Sequence, residues 1–186
     1  MKTEHALAET LKNLMSEVPL DDISVTLLTK KCRVKRQTFY YHFHDIYDLL
    51  TQVFLDESIP GIEECKTVKS MVKCIYQYYI KNKKFLDAAL NSAGKELFEE
   101  FVFNATYQSL LRMVTRVADS KKLTPNDKKY IARFYALAYS HSIIYYLNTH
   151  KNTSLEGLYT CFCFVNDDNI EKSVQKFVKI RGKTHD

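Results

Sequence analysis

The 186-residue chain is 46% hydrophobic, with 27 lysines and arginines against 22 acids and a net charge of +5, which is enough apolar material for a core and excludes a disordered chain. Four glycines and three prolines are too few turn residues for a β-rich architecture, so an all-α fold of long helices with short connections is expected. The basic excess is small, and any attraction to a polyanion must therefore be local.

The first residues, Met-Lys-Thr-Glu-His-Ala-Leu-Ala-Glu-Thr, carry charges where an export signal needs an apolar stretch, and a cytoplasmic location is expected. Leu7, Leu11, Leu14 and Val18 form one apolar stripe on a first helix from about Thr3, its expected N-cap, to Glu17. Pro19 closes it and Asp21-Asp22 turns the chain. Ser24 caps a short second helix whose inner face is Val25, Leu28 and Cys32 and which ends near Arg33. After a short turn a third helix begins at about Lys35, with Phe39 and Phe43 one turn apart as core anchors.

Those anchors decide what the third helix shows to solvent. At about 100° per residue, Gln37, Thr38 and Tyr41 point away from the core, while Arg36, Tyr40 and His42 fall on the flanks. From Lys30 to His44 the chain carries Lys30, Lys31, Arg33, Lys35 and Arg36 before any acid. A solvated helix face is the bland explanation of such a run. Cations for phosphates beside short polar groups for base edges make a DNA-binding surface the better one, with outward residues facing bases and flanking residues facing phosphates.

Asp45 caps a fourth helix through Leu49, Leu50 and Phe54 to about Ser58, interrupted by Pro60-Gly61. The boundary between a head (1–46) and a body (47–186) is placed on this helix. Further helices are expected at about 67–81, 84–91, 95–119, 125–148, 154–165 and 169–180, with Thr124 and Asp168 as caps. The helix at 125–148 is apolar on nearly every face (Ile131, Phe134, Tyr135, Leu137, Tyr139, Ile143, Ile144, Tyr145, Tyr146, Leu147), and such a helix is buried on more than one side. No apolar run approaches the roughly 20 residues of a membrane span, and no membrane partner is expected.

The run Thr38-Phe39-Tyr40-Tyr41-His42-Phe43, followed by Leu49-Leu50 and preceded by Ile23, Val25, Leu28, Cys32 and Val34, resembles the helix-turn-helix of the TetR-type transcriptional regulators. The wording Lys35 to Tyr40 is also similar to the Firmicutes subgroup of dihydroxyacetone kinase operon regulators. The resemblance covers roughly the first quarter of the chain. It implies a three-helix DNA-binding head joined to a helical ligand-binding and dimerisation body. It assigns Tyr40 and His42 to the phosphate backbone and Gln37, Thr38 and Tyr41 to bases; with Lys35, Arg36 and His44 these make the candidate DNA-binding set. Arg33 stands where a turn glycine is common, implying either a turn without positive φ or one that tolerates strain. Ile46 stands where many members carry a phosphate-binding lysine, a contact that His44, Lys35 or helix N-terminal amides would have to replace.

The family implies a homodimer, here expected through the helices at about 125–148 and 154–165, which would set two heads about 34 to 36 Å, or a multiple of that, apart on a palindromic double-stranded operator. Tyr76, Tyr79, Phe101, Tyr107, Tyr135 and Tyr139 are candidate walls of an effector cavity, with ordinary core as the alternative. Arg112 and His141 are candidate contacts to a polar or anionic ligand, with a salt bridge or a hydrogen-bonded core histidine as the alternative.

Neither a metal nor another cofactor is expected. Cys161 and Cys163 on a helix point their thiols to different sides, and five cysteines at irregular spacing (Cys32, Cys65, Cys74, Cys161, Cys163) suit reduced thiols. No nucleophile elbow, His-Glu-x-x-His helix or phosphate-cradling glycine loop occurs, so an enzyme is not expected. A ligand-responsive DNA-binding repressor is therefore the function the resemblance implies; the alternative is a helical co-activator or interaction protein that acts through a protein partner without an effector.

Overall fold

The structure, a computed structural model, describes residues 2–118, 123–150, 154–162 and 167–183. Among them stand ten α-helices and no strand: α1 (Lys2–Met15), α2 (Val25–Cys32), α3 (Arg36–His42), α4 (Ile46–Asp56), α5 (Val68–Lys81), α6 (Lys83–Leu90), α7 (Lys95–Val117), α8 (Pro125–Thr149), α9 (Leu155–Cys161) and α10 (Asp167–Lys183). Short 3-10 turns cover Leu20–Asp22 and Ile62–Glu64. No helix among the described residues is long and apolar enough to cross a membrane.

Side-chain caps set several helix starts by satisfying amide groups that have no partner within the helix. Ser24 accepts from the Leu27 amide (3.1 Å) and Asp45 from the Asp48 amide (2.8 Å). Thr124 and Asp127 cap each other's backbone at the start of α8, with Pro125 in the first turn. Ser154 accepts from the Gly157 amide (3.0 Å).

Two expected caps are corrected. Thr3 lies inside α1, which already begins at Lys2, and Asp168 lies inside α10, which begins at Asp167. The first helix also stops at Met15, before Val18. There the bonds tighten, the Ser16 and Glu17 amides reaching the Asn13 and Leu14 carbonyls only three residues back (3.1 and 2.9 Å), and Met15, 2% exposed, completes the buried stripe. α9 stops at Cys161, because the Phe162 amide turns onto Thr160 and Tyr159. The expected continuation, Cys163 included, lies outside the described residues.

The chain divides into two compact units, Met1–Ser58 with Tyr79–Phe101, and Ile59–Tyr78 with Val102–Asp186. In the first, α1 packs against α2, α4 and α6, and α2 against α3. Leu7, Leu11, Leu28, Phe39, Leu49 and Leu50 have no exposed surface, and each such side chain contributes about 1.5–3 kcal/mol of apolar burial. Phe54 stacks on Phe85 (5.6 Å between centroids) and meets Phe98 and Phe101. Lys12 reaches over the Phe85 ring and bonds Glu57. α4 therefore belongs wholly to this unit, which also takes in α6 and the first residues of α7.

In the second unit α8 packs against α9 and α10. The Tyr135 hydroxyl bonds the Asn169 carbonyl and Ser173 (2.9 and 2.8 Å), and the Tyr146 hydroxyl donates to the Ser154 carbonyl and accepts from its amide. Arg112 donates to the Ile62 carbonyl (3.1 Å) and Arg116 to the Lys66 carbonyl, fixing the segment that precedes α5. Within that segment the Cys65 thiol lies 3.4 Å from Cys74. Burial, then the contact with Cys65, pushes the Cys74 thiol up to about 11.

Candidate nucleic-acid interface

α2 and α3 are joined by Arg33, Val34 and Lys35. The turn is made by two backbone bonds, from the Arg33 amide to the Lys30 carbonyl (3.3 Å) and from the Val34 amide to the Thr29 carbonyl (3.0 Å). They hold Arg33 at φ 58° and ψ 38°. The turn therefore does have a positive φ, and the other expectation, a turn without one, is corrected. Thr29, buried at 3% exposure, seals the inner side of α2 with its hydroxyl on the Val25 carbonyl (2.8 Å).

Phe39 is fully buried and Phe43 7% exposed, and between them they fix which way α3 faces. Gln37 and Tyr41 stand in solvent, Tyr41 at 84%, and Thr38 is half-buried. Lys35, Arg36, His44 and Tyr40 are exposed around them. Lys31 pairs with Glu17 (3.4 Å); Lys30, Arg33, Lys35 and Arg36 make no ion pair with a described residue. The arrangement is a short helix with a polar outer face rimmed by free cations, which is what a double-helical polyanion requires of a protein surface.

His42 is less free than its neighbours. Its Nδ1 lies 3.1 Å from Glu4 on α1, so the C-terminal end of α3 is tied to the start of the chain. The Tyr47 hydroxyl donates to Asp21 (2.8 Å), which with burial holds the phenol above its ordinary range. Ile46 is buried and offers no cation. At the start of α4, Asp45 takes the Asp48 amide and Asp48 takes the His44 amide (2.9 Å).

The candidate effector residues fall in both units. In the first unit, Tyr79 is bonded to Asp87 and Lys83, and Phe101 stacks with Phe54 and Phe98. In the second, Tyr135 and Tyr139 stack (6.1 Å), Tyr107 stacks on Phe103 and Tyr76 is half-buried. Arg112 holds a backbone carbonyl, and His141 is exposed with its ring on the Leu137 carbonyl of its own helix. An open furrow on α7 is lined by Gln108, Leu111, Arg112, Thr115 and Arg116. Sequence reasoning missed Thr106, a fully buried hydroxyl on α7 with no hydrogen-bond partner among the described residues, because an isolated threonine in a helix carries no sequence signal. Cys161 is exposed, and the described residues hold no cluster fit for a metal ion.

On α8, Tyr130, Phe134, Leu137 and Tyr145 are exposed at 67, 65, 48 and 69%, while Ile131, Ala132, Ala136, Tyr139, Ile143 and Leu147 are buried. The outward set recurs at intervals of four, three and eight, a second apolar stripe on the opposite side from the core.

The fold resembles that of the dihydroxyacetone kinase operon activator DhaS, with a TM-score of 0.61, 20% identity and coverage of 96% of this chain and 97% of that one. NalD, the secondary repressor of the MexAB-OprM multidrug efflux pump in Pseudomonas aeruginosa, aligns at a TM-score of 0.49 with 14% identity, covering 92% of this chain and 96% of that one. No curated protein matches the sequence. The family model for a transcriptional regulator C-terminal region, TetR_C_8, matches residues 66–162, more than half of the chain and a part separate from the head whose wording resembles the same family. The chain belongs to the TetR-type transcriptional regulators.

Proposed function

We propose that the chain is a ligand-responsive, cytoplasmic DNA-binding repressor that holds a palindromic operator as a homodimer. Residues 1–46 would be the DNA-reading head and 47–186 the effector and dimerisation body. The observation that carries this is the outer face of α3, where Gln37, Thr38 and Tyr41 stand away from a core fixed by Phe39, and Lys35 and Arg36 flank them unpaired. Tyr40, His42 and His44 complete the candidate phosphate contacts. The exposed stripe of α8 supports a second copy of this chain as its cover, because a two-fold axis buries one apolar stripe against itself. The stacked Tyr135 and Tyr139 and the unpartnered Thr106 hydroxyl support a small-molecule site in the body, since buried polar groups ordinarily have partners. An effector favouring splayed heads would relieve repression by its differential affinity for the two arrangements.

The test is binding of purified protein to DNA upstream of its own and neighbouring genes, beside scrambled DNA, at several salt concentrations. Preference for one fragment with a steep salt slope in both series supports the reading; equal, weak binding to both sinks it in favour of a protein partner. In the same assay Arg36→Ala weakens binding to both DNAs and lowers the slope by about 0.9. Gln37→Ala costs about 1–3 kcal/mol on the preferred fragment and little on scrambled DNA. Equal losses on both DNAs for Gln37→Ala remove it from the base-reading set.

A further inference from the structure

Arg33 is the non-glycine residue with positive φ among the described residues. The cause is local: the two bonds that end α2 require a left-handed residue at this point, a position that glycine fills without cost and asparagine with little. Arginine there brings its Cβ close to the following carbonyl oxygen. Nothing within the described fold compensates. The side chain is exposed and makes no hydrogen bond or ion pair with a described residue. Its sequence neighbours Lys30, Lys35 and Arg36 are exposed and make no ion pair with a described residue either, so its charge adds repulsion to the strain.

A residue that destabilises its own turn in two ways, and that carries an exposed guanidinium three residues before α3, is suited to something outside the chain. We propose that Arg33 is a phosphate-contacting residue, its guanidinium held out by the strained turn to grip the DNA backbone beside the groove that α3 enters. This rests on the DNA-binding reading above. The fork of a guanidinium matches two phosphate oxygens at once, and a residue on the turn, off the outward face of α3, grips any sequence equally.

The test pairs Arg33→Gly with Arg33→Asn. Glycine removes charge and strain together; asparagine removes the charge but keeps a side chain that accepts the left-handed turn. Both variants should bind a mixed-sequence duplex about eightfold more weakly at 0.1 M salt, with the salt slope reduced by about 0.9, the value of one phosphate contact. Arg33→Gly should also melt about 2 °C higher. Wild-type slope and affinity in both variants, with the wild type itself binding DNA, overturns the proposal alone. A lower melting temperature for Arg33→Gly overturns the strain argument. A wild type that binds no DNA at any salt overturns the DNA-binding reading and this proposal with it.

Discussion

Tyr79 shows how one side chain ties two helices together. Its hydroxyl donates to Asp87 (2.6 Å) and accepts from Lys83 (2.9 Å), and Lys83 also reaches Asp87 (2.6 Å). Burial first, then the bond to Asp87, holds the phenol above its ordinary value of 10. A group raised in the fold adds stability that is complete below the unfolded value and is lost as pH climbs through the folded one. Stability to urea should therefore fall as pH rises above about 10, and fall less in Tyr79→Phe, which itself should cost about 1 kcal/mol at neutral pH. Urea melts of both proteins on either side of that pH check it; parallel losses would detach Tyr79 from the alkaline transition. The thiols give a second residue-scale prediction. The thiolate is the reactive form, and Cys74 is held up to about 11 while Cys161 is exposed. Iodoacetamide near neutral pH should label Cys161 in the native protein and Cys74 only in urea, as peptide mass spectrometry would show. Such pairings escaped the sequence: Glu4 and His42, or Cys65 and Cys74, meet only because helices pack, and no spacing rule predicts them.

At the scale of elements, α8 and α9 approach so closely that one position admits only glycine. A Cβ on Gly157 would lie 2.2 Å from the Tyr146 hydroxyl and 3.0 Å from the Ser154 hydroxyl. Tyr146 is 4% exposed and its hydroxyl is held by the Ser154 backbone, so the ring has little room to yield. Gly157→Ala should destabilise by about 1–3 kcal/mol through overpacking, more than the roughly 1 kcal/mol that alanine gains over glycine in a helix. In a Tyr146→Phe background the same change should cost less, because the overlapping oxygen is gone; additive losses in a thermal-melt cycle would place the strain elsewhere. The helices themselves were legible, since caps such as Ser24, Asp45 and Thr124 and the Phe39–Phe43 pair are local chemistry. The ends misread were those set by other means, as at Met15, where the next amides shift to carbonyls three residues back, and at Cys161, where the Phe162 ring lies 5.3 Å from Tyr139.

For the whole molecule the question is what covers the outer stripe of α8. Periodicity alone showed that this helix is apolar on most sides; only the packing separates Ile131, Ala136 and Ile143, which are buried, from Tyr130, Phe134, Leu137 and Tyr145, which are not. The return of α6 to α1 was likewise invisible, because contacts between distant segments leave no period in the sequence. If the stripe is the dimer contact proposed above, a charge at its centre costs the partner a desolvated carboxylate and leaves the monomer nearly untouched, since Phe134 is 65% exposed. Phe134→Asp should sediment as a monomer with unchanged helical circular dichroism. The effect on DNA should then exceed any local loss. Two linked heads bind two half-sites with an effective concentration that raises affinity by about 10²–10⁴ over one head, so the variant should lose that factor on a full palindrome and almost nothing on a single half-site. A dimeric Phe134→Asp would move the protomer contact off this stripe. A monomeric variant that loses equally on both DNAs would mean that α8 acts on the head itself and not by joining two of them.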